Sequence, residues 1–131
     1  MTSIKELYKT ADFKSEKHVP VIEGPDSAKK GEAVEIAISV GKEIAHPNTT
    51  EHHISWIEAY YVPEGAKVAY RLGRFEFSAH GASAEGPNTI GLHTVPKAVV
   101  SLKAENPGTL IATSYCNIHG LWESAKALAV E

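Results

Sequence analysis

One cysteine and one methionine stand in the whole chain of 131 residues, Cys116 and Met1. A single cysteine closes no disulfide within the chain, so the usual staple of a small secreted domain is absent. Closed structural zinc sites commonly take two or more cysteines, and here only one is on offer. With Met1 the sole thioether, the weak axial methionine of a blue-copper site has no internal candidate. No run approaches about 18 apolar residues, which excludes a transmembrane helix. The opening Met1-Thr2-Ser3-Ile4-Lys5-Glu6-Leu7 lacks the apolar core of a signal peptide. Together with a thiol that must stay reduced, this places the expected location in the cytoplasm. Charge of either sign is not in large excess: the formal net charge is -3, which gives no reason to expect a nucleic acid or an anionic membrane as partner. What remains is a globular composition, 43% hydrophobic and 22% charged, read as a single domain over 1–131 with an N-terminal arm at 1–15.

The positive signals are short strands. Val34, Ile36, Ile38 and Val40 alternate with Glu35, Ala37 and Ser39, the period of a half-buried strand. Residues 54–61 are β-branched and aromatic and stop at Pro63-Glu64-Gly65. Segments 67–72, 74–79, 89–94, 97–103 and 109–115 read as further strands, separated by glycine, proline and asparagine. Residues 123–130 are alanine-rich but follow an all-β chain, and are expected to close it as a strand. The fold class is therefore all-β, an immunoglobulin-like antiparallel β-sandwich of about seven strands. Residues 1–15 carry no decisive pattern; a helical turn and a packed arm both fit. In a sandwich the loops gather at the ends, so distant loops can build one site.

Three loops carry the chemistry. Cys116 and His119 form a Cys-x-x-His turn; His46 and His52 form a His-x5-His pair, with His53 beside it; His18 follows Glu16 and Lys17. A thiolate with several imidazoles suits a borderline-to-soft transition metal rather than calcium or magnesium. Against this stand the plain readings: a free cysteine is commonly a small buried hydrophobe, and lone histidines are commonly surface or core residues. Zinc and copper both remain open on residue types alone. So do an electron-carrying copper sandwich and an interaction module with incidental histidines.

Glu16-Lys17-His18-Val19-Pro20, His46-Pro47-Asn48-Thr49-Thr50-Glu51-His52-His53-Ile54 and Cys116-Asn117-Ile118-His119-Gly120-Leu121-Trp122 resemble the three signature segments of superoxide reductase. The segment from His80 to Asn88 is similar as well, and the likeness runs from about residue 10 onward. The form resembles the one-iron members, the neelaredoxins. The two-iron desulfoferrodoxins add a rubredoxin-like module with four cysteines, which this sequence does not contain. The resemblance implies one mononuclear non-haem iron (Fe2+/Fe3+) per chain, with His18, His46, His52 and His119 as equatorial ligands and Cys116 as the axial one. It implies an enzyme that reduces superoxide by one electron to hydrogen peroxide, with Lys17 steering the anion and assisting protonation. It gives Glu16 the sixth position in the ferric state only, a rubredoxin-like protein as electron donor, and a homotetramer. Neighbours in an extended segment point to opposite faces, so His52 and His53 are not expected to share one ion, and the family pattern selects His52; His53, His80 and His93 are expected to be structural or surface residues.

Overall fold

In the computed structural model, which describes residues 1–131, the alternating segment becomes strand β3. The strands are β1 (Pro20–Glu23), β2 (Ser27–Ala28), β3 (Ala33–Val40), β4 (Ile54–Pro63), β5 (Tyr70–Glu76), β6 (Lys97–Lys103), β7 (Gly108–Cys116) and β8 (Gly120–Val130). They form two sheets, one in the order β1-β3-β6 and one in the order β2-β8-β7-β4-β5. Neighbours are antiparallel except β2 and β8, which run parallel. The expected sandwich is thus present, with eight strands and one parallel edge pair.

Period two explains the core. Ile36, Ile38 and Val40 on β3 face Ile57, Ala59 and Tyr61 on β4 and Leu110, Ala112 and Cys116 on β7, all buried in one cluster. Each fully buried isoleucine or leucine contributes roughly 1.5–3 kcal/mol relative to exposure. The alanine-rich end of the chain is strand, as expected, because β8 pairs with β7 along its length from Gly120 opposite Cys116 to Leu128 opposite Gly108. Leu128 and Trp122 supply its buried positions.

The structure departs from the sequence reading at three places. Residues 67–79 hold one strand, not two, because Gly73 sits within β5 opposite Ala59, beside the irregularity at Ala59/Tyr60 of β4. Residues 89–94 are loop, joined to the segment before them by the bridge between His80 and His93 and by the Thr94 N–H and hydroxyl, which both donate to the Ala79 carbonyl; Gly91 takes positive φ, which breaks an extended run. β1 and β2 are additional, short edge strands; β1 begins at Pro20, a position where proline costs the sheet no internal hydrogen bond. In residues 1–15 both open alternatives occur: Ile4–Glu6 is a single 3-10 turn, and Lys9 then bridges in parallel to Trp122.

These features bring three loops to one end: residues 16–19 before β1, residues 41–53 between β3 and β4, and the turn between β7 and β8.

Candidate metal centre

The turn from β7 to β8 is the fixed point. Cys116 ends β7 on its buried face with no exposed surface, and Gly120 takes φ 80° to start the return strand. Two residues on from the cysteine the chain is at the surface, with Ile118 exposed. The His119 N–H donates to Cys116 Sγ at 3.4 Å, a bond that stabilises negative charge on sulfur. His119 Nδ1 lies 3.7 Å from the same sulfur and 3.2 Å from His52 Nε2.

The other rings converge on this turn. Donor atoms of His18, His52, Cys116 and His119 all lie within 4.8 Å of one another. His46 falls outside that set of donor atoms but lies beside it, its ring centroid 4.8 Å from that of His18 and 4.7 Å from that of His52.

Two nitrogens are left over. His18 Nδ1–H donates to Glu16 Oε1 at 2.5 Å, and His46 Nδ1–H donates to the Pro47 carbonyl at 2.6 Å. With those protons on Nδ1, each Nε2 carries a lone pair, and both Nε2 atoms are buried without a hydrogen-bond partner. An orphaned buried polar atom costs about 1–3 kcal/mol. A metal ion among these rings satisfies both at once, and hydrogen bonds at the distal nitrogen are how ligating histidines are normally oriented. Four imidazoles and one thiolate also exceed the four donors of a structural zinc site and suit iron.

Burial favours the neutral form of His46, His18 and His52. It pushes His46 down to about 4, outweighing the Pro47 bond that raises it. Burial likewise lowers His18 against the opposing pull of Glu16. His52 is lowered by burial and then by the charges of His119, His18 and Lys17. Glu16 is raised by burial, but the side-chain and backbone bonds from His18 outweigh this and hold it below the usual carboxylate range. A histidine depressed in the folded state must stay uncharged where the unfolded chain takes up a proton. The stability it contributes is complete above the unfolded value of about 6.5 and is lost as pH falls toward the folded value. The metal-free chain should therefore show a thermal midpoint that is flat above pH 6.5 and drops steadily between about 6.5 and 4. A midpoint independent of pH over that window would contradict the buried, neutral His46.

Lys17 is half-buried and takes part in none of the ion pairs of the fold. Its charge acts on His18, His46 and His52 alike, so it lies near the cluster. Glu16 sits on the distal nitrogen of His18. Occupying a metal position would require it to leave that bond.

His53 turns away from its neighbour. Its Nδ1–H donates to the Thr49 carbonyl at 2.8 Å, and its ring stacks on His80 at 3.7 Å between centroids. Parallel stacked rings direct their lone pairs side by side, so they cannot close on one ion. His80 Nε2–H in turn donates to the Phe77 carbonyl at 2.5 Å, and His93 is exposed.

The positioning residues were not legible beforehand. Asn117 stitches the two ligand loops together: its Oδ1 accepts from the His53 N–H at 2.8 Å, its Nδ2 donates to the Glu51 carbonyl at 3.0 Å, and its own N–H donates to the His53 carbonyl at 3.2 Å. Asn88 braces the same loop from residues 80–93, accepting from the Thr50 N–H and donating to the Glu51 carboxylate. Gly41, at φ 88°, lets the His46 backbone approach closely. The only advance signal for Asn117 was its place inside the Cys-x-x-His turn.

A two-layer β-sandwich with histidines and a cysteine gathered at one end offers a candidate site for a metal ion. The chain matches the desulfoferrodoxin family over residues 10–125, and it belongs to that family. It is 54% identical to superoxide reductase of Pyrococcus furiosus, over 95% of this chain and 98% of that protein. It is 52% identical to neelaredoxin of Megalodesulfovibrio gigas, over 96% of this chain and 97% of that protein. Among solved structures, the reduced superoxide reductase (neelaredoxin) of Archaeoglobus fulgidus superimposes with a TM-score of 0.86 at 59% identity, covering 94% of this chain and 98% of that one.

Proposed function

We propose that this chain is a superoxide reductase, which reduces superoxide by one electron, with two protons, to hydrogen peroxide. The observation that carries the reading is the pair of orphaned buried Nε2 atoms, on His18 and His46, beside the Cys116 thiol and two further imidazoles. Iron held by His18, His46, His52, His119 and Cys116 would supply the electron and be restored by an external donor. The residues do the rest. Cys116, whose sulfur accepts the His119 N–H, would hold the iron as a thiolate and supply it with a soft, electron-rich donor. Glu16 holds His18 in the tautomer that frees Nε2. Ligation of the ferric ion by Glu16, the role given by family resemblance, would demand that the carboxylate swing off His18. A rubredoxin-like donor, a homotetrameric assembly and a cytoplasmic location belong to the same reading; no helix is long and apolar enough to cross a membrane.

Lys17 has a physical task here, because the substrate is an anion and the chain is net negative. A cation at the mouth raises capture rates by roughly 10–1000-fold, and salt weakens the effect. The Nζ ammonium also offers a proton, or a water that gives one, to the departing product. Lys17→Ala should slow second-order capture of superoxide at low ionic strength, flatten its salt dependence and leave iron content intact. An unchanged rate would remove the steering role.

The deciding experiment is metal content with the visible spectrum of the oxidised protein, followed by superoxide kinetics on the reduced one. One iron per chain, a thiolate-to-iron band that bleaches on reduction and superoxide consumption without oxygen release would sustain the proposal. Stoichiometric copper, or oxygen release in step with superoxide loss, would overturn it.

A further inference from the structure

Trp122 is a large buried side chain at this end of the sandwich that neither supplies a donor atom nor belongs to the central apolar cluster. It lies on β8 opposite Ser114, on the face that looks into the sandwich. Its ring stacks on the imidazole of His18, with centroids 5.3 Å apart and planes 16° from parallel. Its Nε1–H donates to the His119 carbonyl at 3.3 Å. It therefore touches two of the five donor-bearing residues, and these lie on loops about a hundred residues apart in the chain.

Each contact removes a freedom the donors do not remove themselves. The Glu16 bond fixes which nitrogen of His18 carries the proton but leaves the imidazole able to pivot about that bond. A flat aromatic partner fixes the ring plane. At His119 the carbonyl belongs to the peptide linking it to Gly120, whose positive φ places it in a turn with little side-chain restraint. A hydrogen bond to that carbonyl pins the peptide, and with it the direction in which the His119 Nδ1 faces His52. The arm holds the tryptophan in turn: Lys9 N–H donates to the Leu121 carbonyl, the Glu123 N–H donates to the Lys9 carbonyl, and Lys9 Nζ lies 5.7 Å from the indole centroid.

We propose that Trp122 is a positioning residue for the metal centre, setting the ring plane of His18 by stacking and the peptide of His119 by its indole N–H. This rests on the metal-site reading above. Residues that orient ligands from outside the donor set typically change metal affinity by about 10–100-fold when lost. Trp122→Phe keeps a stacking face and deletes the N–H; Trp122→Leu deletes both.

The test is titration of metal-free protein with Co2+, read by the sulfur-to-cobalt charge-transfer band and the d–d bands. Leu128→Ala, buried at the opposite end of β8, serves as a variant that lowers the thermal midpoint without touching the site. The expected result is a loss of cobalt affinity of about 10-fold or more in Trp122→Leu. Trp122→Phe should keep near-native affinity with shifted d–d bands, and Leu128→Ala should keep both affinity and bands. Should Trp122→Leu not fold, the Phe variant decides alone, and unshifted bands would overturn the proposal. Wild-type affinity and bands in both tryptophan variants would overturn it too, as would losses that merely follow thermal midpoint across all variants. A wild-type chain that binds cobalt without any sulfur band would instead sink the metal-site reading itself.

Discussion

Cys116→Ser should abolish the thiolate-to-iron absorption of the oxidised protein and cut superoxide reduction by more than the roughly 10–100-fold typical of losing an outer-shell partner. The substitution is nearly isosteric, so its effect on folding is small and the chemistry is isolated. Cys116 is fully buried, and a serine hydroxyl there would ordinarily cost about 1–3 kcal/mol if left unpaired. The His119 N–H that now points at sulfur gives the new oxygen a partner. What serine cannot give is a soft, anionic donor at neutral pH, because an alcohol holds its proton far more tightly than a thiol. The site would keep its four imidazoles and bind metal less tightly, with no sulfur band. Iron content, the visible spectrum and superoxide kinetics on one preparation would check this. A variant that retained full activity would show that sulfur is not among the donors.

Gly41→Ala should be nearly as damaging, although residue 41 carries no donor. Gly41 follows β3 directly and takes φ 88°. A Cβ there would lie 2.6 Å from the His46 backbone nitrogen and 3.1 Å from its Cβ. Backbone cannot be rotated out of the way, so the start of the ligand loop must move and carry the His46 ring from its place against His18 and His52. The left-handed conformation alone costs a non-glycine residue roughly 1–2 kcal/mol. The clash comes on top of it. A control separates the two effects. Gly31 also has positive φ, 75°, but a Cβ there meets nothing within 4 Å. Gly31→Ala should lose about 1–2 kcal/mol of stability and keep its iron and its spectrum. Gly41→Ala should lose comparable or greater stability and, in addition, about 10-fold or more in metal affinity. Equal metal binding in the two variants would mean that close packing of Gly41 against His46 does not position the ligand.

The parts of the fold that were legible are those governed by the chain's own period. The side chains of β3 declare their buried face because Val34, Ile36, Ile38 and Val40 recur at every second residue. The ends of β6 and β7 fall almost where glycine, proline and asparagine put them. Residues 89–94 have the composition of a strand, but Gly91 takes positive φ and the segment is loop. That loop and its neighbours brace the 46–53 segment through Asn88 instead of pairing in a sheet.

The site divides the same way. The sequence by itself determined the donor types and the Cys-x-x-His spacing; the separation of His52 from His53 comes instead from the bend that the Thr49 N–H closes on the His52 carbonyl. Tertiary structure alone decided that His18, His46 and the 116–119 turn meet. It also decided that His53 finds His80 instead, that Glu16 rests on the far nitrogen of His18, and that Asn117, Gly41 and Trp122 hold the parts in register. The bond from His53 N–H to Asn117 Oδ1 spans 64 residues of chain. Local periodicity contains no term for so distant a contact, which exists only once two sheets have packed and their loops have been brought to one end.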